Sequence, residues 1–141
     1  MNTPYKYYFT DVGLRNARLN FRQIEENHIM ENIIFNELIS RGYLVDIGTI
    51  EINELNNSKT YSKKQIEIDF IANLGNKKIY IQSCYQLPTN EKIQQEIRPL
   101  LKTNDYFKKI IIVRNNIKTK IDEYGIITMS IQNFLLDKNS I

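Results

Sequence analysis

Lys109-Ile110-Ile111-Ile112-Val113 is a continuous apolar run of strand length. A strand apolar at every position rather than at alternate ones suits a sheet covered on both faces, so the chain must supply two outer layers. The surrounding pattern supplies them. A helix is expected over residues 25–41, stopped by Gly42 in the usual C-terminal position. A second, opened by Thr89 or Asn90 as N-cap, should run to about Lys102, kinked or divided by Pro99. Ser130 should cap a closing helix through Leu136.

Strands are expected at 43–48, 65–72, 78–85, 109–113 and 123–129, with a polar loop or ragged hairpin tip over 53–64. The opening Tyr5-Lys6-Tyr7-Tyr8-Phe9 reads as an extended aromatic strand, followed by a turn at residues 10–14. The order is helix, three strands, helix, two strands, helix: a single α/β domain over 1–141, its core at about 25–136, with a mixed sheet flanked by helices.

Composition excludes several classes. At 141 residues the chain can bury a core without staples. One cysteine excludes an internal disulfide framework and fits a cytoplasmic setting, while one histidine and one cysteine cannot build a structural zinc site. No apolar run approaches membrane-spanning length, and the first residues lack a signal peptide's apolar region. No Walker motif or glycine-rich phosphate loop occurs, so no ATP site of the P-loop kind is expected. The net charge of +3 is a weak basic bias.

The chemistry lies in the two central strands. Asp69 stands alone in the apolar run Ile66-Glu67-Ile68-Asp69-Phe70-Ile71, and a buried carboxylate is costly unless cations or donors offset it. Period two puts Glu67, Asp69 and Ile71 on one face and Ile66, Ile68 and Phe70 on the other. A four-residue loop pairing Ala72 with Lys77 would set Asp69 opposite Tyr80, and Asp69, Gln82 and Cys84 would look out on one side. On the first helix Glu31 falls between Leu38 and Phe35, inside the apolar arc and away from a polar strip of Asn32, Asn36 and Ser40. Glu37 lies in the same arc.

Glu31, Asn36-Glu37-Leu38, Arg41-Gly42-Tyr43, Glu67-Ile68-Asp69-Phe70-Ile71 and Ile81-Gln82-Ser83-Cys84-Tyr85 together resemble the PD-(D/E)xK superfamily of restriction-endonuclease-like folds. More narrowly, the chain is similar to the uncharacterised C-terminal domain of bacterial and archaeal AAA-type ATPases. The opening Lys6-Tyr7-Tyr8-Phe9-Thr10-Asp11-Val12-Gly13-Leu14 matches that group's first phrase, and Arg98-Pro99-Leu100-Leu101, Asp105-Tyr106 and Asn133-Phe134-Leu135 match further along.

The resemblance implies Mg2+ held by Glu31 and Asp69, with Gln82 and Cys84 in the places of the acid and lysine of Glu-x-Lys. Gln82 removes one negative charge, and Cys84 cannot stand in for an ammonium. Groups of this kind contribute ~3 kcal/mol each to lowering a barrier, so losing two costs roughly four orders of magnitude in rate. The site therefore reads as degenerate, with Lys78 or Lys64 as candidates for the vacant ammonium. The function expected is a nuclease-like module, with hydrolysis weakened or lost, that binds nucleic acid or docks on an AAA-type ATPase module lying outside this sequence. The alternatives are an active Mg-dependent DNA nuclease, and an oligomerising or regulatory scaffold without nucleic-acid binding.

Structural readings stand beside the functional ones. Asp69 could be satisfied by backbone donors or a nearby lysine, and Glu31 could pair with Arg41 or Arg98. Gln82 suits an internal hydrogen-bonding group, Cys84 a small buried side chain, and His28 a helix-surface position. Lys63, Lys64, Lys78 and Arg98 are the candidate phosphate contacts, with Lys77, Lys92, Lys102, Lys108 and Lys109 able to extend the track.

Overall fold

The computed structural model describes residues 5–22, 25–55, 61–86 and 90–141. They form α1 (Val12–Arg18), α2 (Glu26–Ser40), β1 (Leu44–Leu55), β2 (Tyr61–Leu74), β3 (Lys77–Cys84), α3 (Asn90–Leu101), β4 (Lys108–Val113), β5 (Lys120–Ile121), β6 (Ile127–Ser130) and α4 (Ile131–Leu136). One mixed sheet runs in the order β1-β2-β3-β4-β6-β5. β1, β2 and β3 form an antiparallel meander, β3, β4 and β6 are parallel, and β5 lies antiparallel to β6.

The apolar run does what its pattern predicts. Ile110 and Ile112 of β4 pack in one cluster with Met30, Ile34 and Leu38 of α2 and Phe134 of α4. Ile111 and Val113 pack in another with Ile97 and Leu100 of α3. α2 therefore covers one face and α3 the other. Arg41 caps α2 and Gly42 follows at φ +87, a left-handed value that favours a residue without Cβ. The Ser130 hydroxyl accepts from Asn133 N–H and caps α4.

Five expectations are corrected. Residues 5–9 lie in no strand, and Asp11, read as part of a turn, instead caps α1 by accepting from Leu14 N–H. Much of the expected loop over 53–64 is a two-stranded ribbon, paired from Leu44↔Asn73 out to Leu55↔Tyr61 with 56–60 outside the described residues. Its polar residues fit because β3 reaches along β2 only from Leu74 to Phe70, leaving the outer ribbon exposed. Pro99 does not divide α3, which runs through it to Leu101; the proline forgoes only its own N–H bond to the carbonyl four residues back. The Thr89 cap falls outside the described residues, and Glu123-Tyr124 form the turn before β6 rather than part of it.

The register also differs. Leu74 pairs with Lys77 around Gly75-Asn76, and Gly75 has φ +57, so the turn has two residues instead of four. Ala72 then meets Ile79, and Phe70 meets Ile81, a shift of two from the expected pairing. An even shift keeps every side chain on its face. It brings Asp69 level with Gln82 rather than Tyr80.

The larger surprise is a β-bulge. Asp46 pairs with Ile71 but Gly48 with Ile68, so Asp69 and Phe70 together oppose Ile47. Residues two apart in a regular strand share a face. Here Phe70 joins the α2-side cluster while Ile68 joins the α3-side cluster with Ile71. The expected grouping of Ile68 with Phe70 fails because the extra residue reverses the alternation at Asp69.

Candidate functional site

Asp69 is aimed by that bulge, and three other elements meet it. Glu31 comes from the middle of α2, Gln82, Ser83 and Cys84 from the carboxyl end of β3, and Gln95 and Glu96 from α3. Together with Asn27, Tyr85 and Gln86 they line one open cavity of about 480 Å³. All four residues singled out in the sequence, Glu31, Asp69, Gln82 and Cys84, are brought together here.

Their bonds define what each does. Asp69 is buried, and its Oδ2 accepts from Ser83 N–H at 2.8 Å. Gln82 bridges two elements: its Oε1 accepts from Asp69 N–H at 3.3 Å, and its Nε2 donates to Glu96 Oε2 at 3.2 Å. Gln82 is thus an internal hydrogen-bonding group. Cys84 is buried, and its Sγ donates to the Gln86 carbonyl at 2.8 Å.

The cation at the site comes from the opening segment. Lys6 Nζ forms an ion pair with Glu67 and stands 3.7 Å from Glu31 Oε2 and 3.8 Å from Asp69 Oδ1. Lys64 instead pairs with Glu54 at 3.4 Å, and Lys78 Nζ lies 5.2 Å from the centre of the Phe107 ring. Neither lines the cavity. Arg41 pairs with Glu37 at 2.8 Å and Arg98 with Glu54 at 2.5 Å, so Glu31's partner is Lys6 and neither arginine.

What fixes Lys6 is the supposed polar strip of α2. Asn32 is buried, and its amide both accepts from Phe9 N–H at 2.8 Å and donates to the Phe9 carbonyl at 2.6 Å. Asn36, one turn on, donates to the same carbonyl at 2.8 Å. Tyr8 stacks on Phe35 at 4.4 Å between ring centres. The strip at 32 and 36 thus serves as a dock for the backbone of Phe9 and Thr10.

The electrostatics follow from burial. Removal from water pushes the Asp69 carboxyl up to about 7, with Glu31 and Glu96 adding to the shift and Ser83 N–H and Lys6 opposing it. Burial pulls the Lys6 ammonium down, but its bond to Glu67 and the charges of Glu31 and Asp69 outweigh that and hold it above its ordinary value. Burial, with the same three carboxylates, also drives the Tyr8 phenol upward.

A magnesium ion needs open carboxylate oxygens at about 2.1 Å. Here Ser83 N–H takes one Asp69 oxygen, Lys6 faces the other, and Asp69 N–H takes the Gln82 carbonyl. Among the described residues no group of three His, Cys, Asp or Glu side chains is set to hold a metal. As arranged, the residues do not fit the ion that the resemblance implies.

The remaining candidates lie elsewhere. Lys63 is highly exposed and pairs with Glu51 at 3.5 Å, and His28 pairs at the surface with Glu25 at 2.7 Å. Glu96 and Lys6 were not singled out as site residues. Lys6 sat in plain view in the opening phrase, whereas nothing in the spacing of α3 marked Glu96.

Over 137 residues, 96% of its length, the chain is 32% identical to an uncharacterised protein of Haemophilus influenzae (strain Rd). It spans 30% of that protein's length. No family model matches the chain, and no solved structure matches it. Among the described residues no helix is long and apolar enough to cross a membrane.

Proposed function

We propose that this chain is a restriction-endonuclease-like module, similar to the C-terminal domain of an AAA-type ATPase, that binds nucleic acid with hydrolysis weakened or lost. The observation that carries this reading is the convergence of Glu31, Asp69, Gln82 and Cys84 on one cavity at the carboxyl end of β3. They come from three elements spread over more than fifty positions, in the order the resemblance requires. The run α2-β1-β2-β3-α3-β4, with β3 and β4 parallel, agrees with it. Loss of hydrolysis is favoured by the two replaced groups: Gln82 is neutral and engaged by Asp69 N–H and Glu96, and Cys84 is a thiol bonded to the Gln86 carbonyl where an ammonium is required.

The test is fluorescence anisotropy with labelled duplex DNA and single-stranded RNA over a salt series, alongside plasmid incubation with Mg2+ or Mn2+. The reading expects affinity that falls steeply with salt, and no cleavage. Binding absent at low salt would remove it. Cleavage abolished by Asp69→Ala would replace it with the active-nuclease reading.

Docking on a partner module is a second reading with its own observation. Tyr5, Tyr7, Leu14 and Phe21 are all largely exposed and fall within one short opening stretch. Large exposed apolar groups gathered in this way suit a protein surface. Co-purification with a separately expressed ATPase module, lost in a Tyr7→Ser/Phe21→Ser variant, would support it.

A further inference from the structure

The misfit with a divalent ion has a positive counterpart. We infer that Lys6 is the resident cation of this acidic site, delivered by the segment Tyr5–Phe9 acting as a strap, and that it keeps external cations off Glu31 and Asp69. The inference does not rest on nucleic-acid binding.

Three independent features point the same way. The ammonium lies within 3.8 Å of carboxylates from two elements, Glu31 on α2 and both Glu67 and Asp69 on β2. A flexible lysine would not hold that position unaided, since exposed ion pairs alone are weak. The backbone three residues on is held by the Asn32 and Asn36 amides, and Tyr8 between them is stacked on Phe35. Moreover, the segment lies in no regular element, so it can be lifted without breaking a strand or a helix.

The carboxylates need the charge that Lys6 brings. Lys6 Nζ stands 3.7 Å from Glu31 Oε2 and 3.8 Å from Asp69 Oδ1, so one ammonium supplies the counter-charge that both acids share. With the ammonium removed, the carboxylates would face one another without a counter-charge, and a small divalent cation is the species that best restores neutrality. Wild-type protein should therefore be indifferent to such ions, while a strapless site should take them.

The experiment is calorimetric titration of Mn2+ into the wild type, Lys6→Gln, Lys6→Gln/Asp69→Asn and Asn36→Ala at fixed ionic strength, with circular dichroism to check folding. Lys6→Gln should bind Mn2+ at least about tenfold more tightly than the wild type, and the double variant should lose the gain. Asn36→Ala keeps the lysine but loosens the strap, so it should show part of the gain even if Lys6→Gln folds poorly. Wild-type binding as tight as that of folded Lys6→Gln, or no gain in either single variant, would overturn the proposal. Mn2+ binding without DNA affinity would leave the strap standing and remove only the nucleic-acid reading.

Discussion

Asn32 and Phe9 exchange two hydrogen bonds across 23 positions of sequence, the side-chain amide of one satisfying both backbone groups of the other. An amide used in this way imitates a neighbouring strand for a single residue. It ties the opening segment to α2 one residue from Glu31, and so links the anchoring of the chain to the composition of the site.

That clasp should be costly to remove. Asn32→Leu leaves the Phe9 N–H without its partner and the Phe9 carbonyl with Asn36 alone, and it should destabilise the fold by roughly 2–3 kcal/mol. Asn36→Ala, which removes donors from a less buried position, should cost about 1 kcal/mol. Urea denaturation of both variants measures the difference, and equal losses would argue against a clasp centred on Asn32.

Stability should fall as pH rises through the titration of Asp69. Its carboxyl is held at about 7 in the fold against an ordinary 3.8, so the folded state binds the proton more tightly between those values. The favourable contribution of the neutral form is complete below the unfolded value and is gone above the folded one. Asp69→Asn should therefore flatten the profile and be more stable than the wild type at pH 8 by on the order of 2–4 kcal/mol. Melting temperatures from pH 4 to 8 decide it, and parallel profiles for the two proteins would refute the assignment.

Gln82→Glu places a carboxylate against Glu96, where the amide now donates, and level with Asp69. The change restores the acid that the resemblance expects, yet it should destabilise the protein at pH 8 by about 1–3 kcal/mol, because a hydrogen bond becomes a repulsion. The loss should shrink near pH 5 as the carboxyls protonate. A variant as stable as the wild type at pH 8 would mean that the cavity tolerates charge far better than its burial implies.

Gly48 sits beside the bulge, and a Cβ there would meet Ile71 Cδ1 at 2.8 Å and Ile68 Cβ at 3.1 Å. Gly48→Ala should thus cost about 1–2 kcal/mol by forcing the two isoleucines apart. The cost should be smaller in an Ile71→Val background, which relieves the closest contact. A double-mutant cycle that shows no coupling would place the strain elsewhere.

Much of the architecture was legible because it rests on strong local signals. Ile110 to Val113 announced a strand covered on both faces, Gly42 ended α2, and Ser130 opened α4. Strand period already set Asp69, Gln82 and Cys84 on one side, but the choice of Glu31 came from the resemblance, since spacing alone gave Glu37 an equal claim. What escaped was non-local. A bulge at Asp69-Phe70 is decided by how β1 and β2 register against two packing layers; Gly48 and Asp69, both poor strand formers, mark the place only once that pairing is known. Asn32 and Asn36 looked like a solvated strip because polar residues at helical spacing usually are one, and only the opening segment's path shows their use. Lys6 was missed for the same reason: its partners on α2 and β2 are brought to it by folding.

The extra residue in β2 also fixes an arithmetic of length. A strand alternates between two sides, so what lies beyond Asp69 keeps its orientation only if its parity is preserved. The outer ribbon can grow or shrink evenly, by whole alternations at its tip, without disturbing the site. An odd change between Glu67 and Phe70 would exchange the two sides of everything outside it, turning Glu67 from Lys6 toward α3 and sending Ile68 out of its cluster. In homologous chains, length variation should therefore collect at the ribbon's tip and be absent from that short stretch.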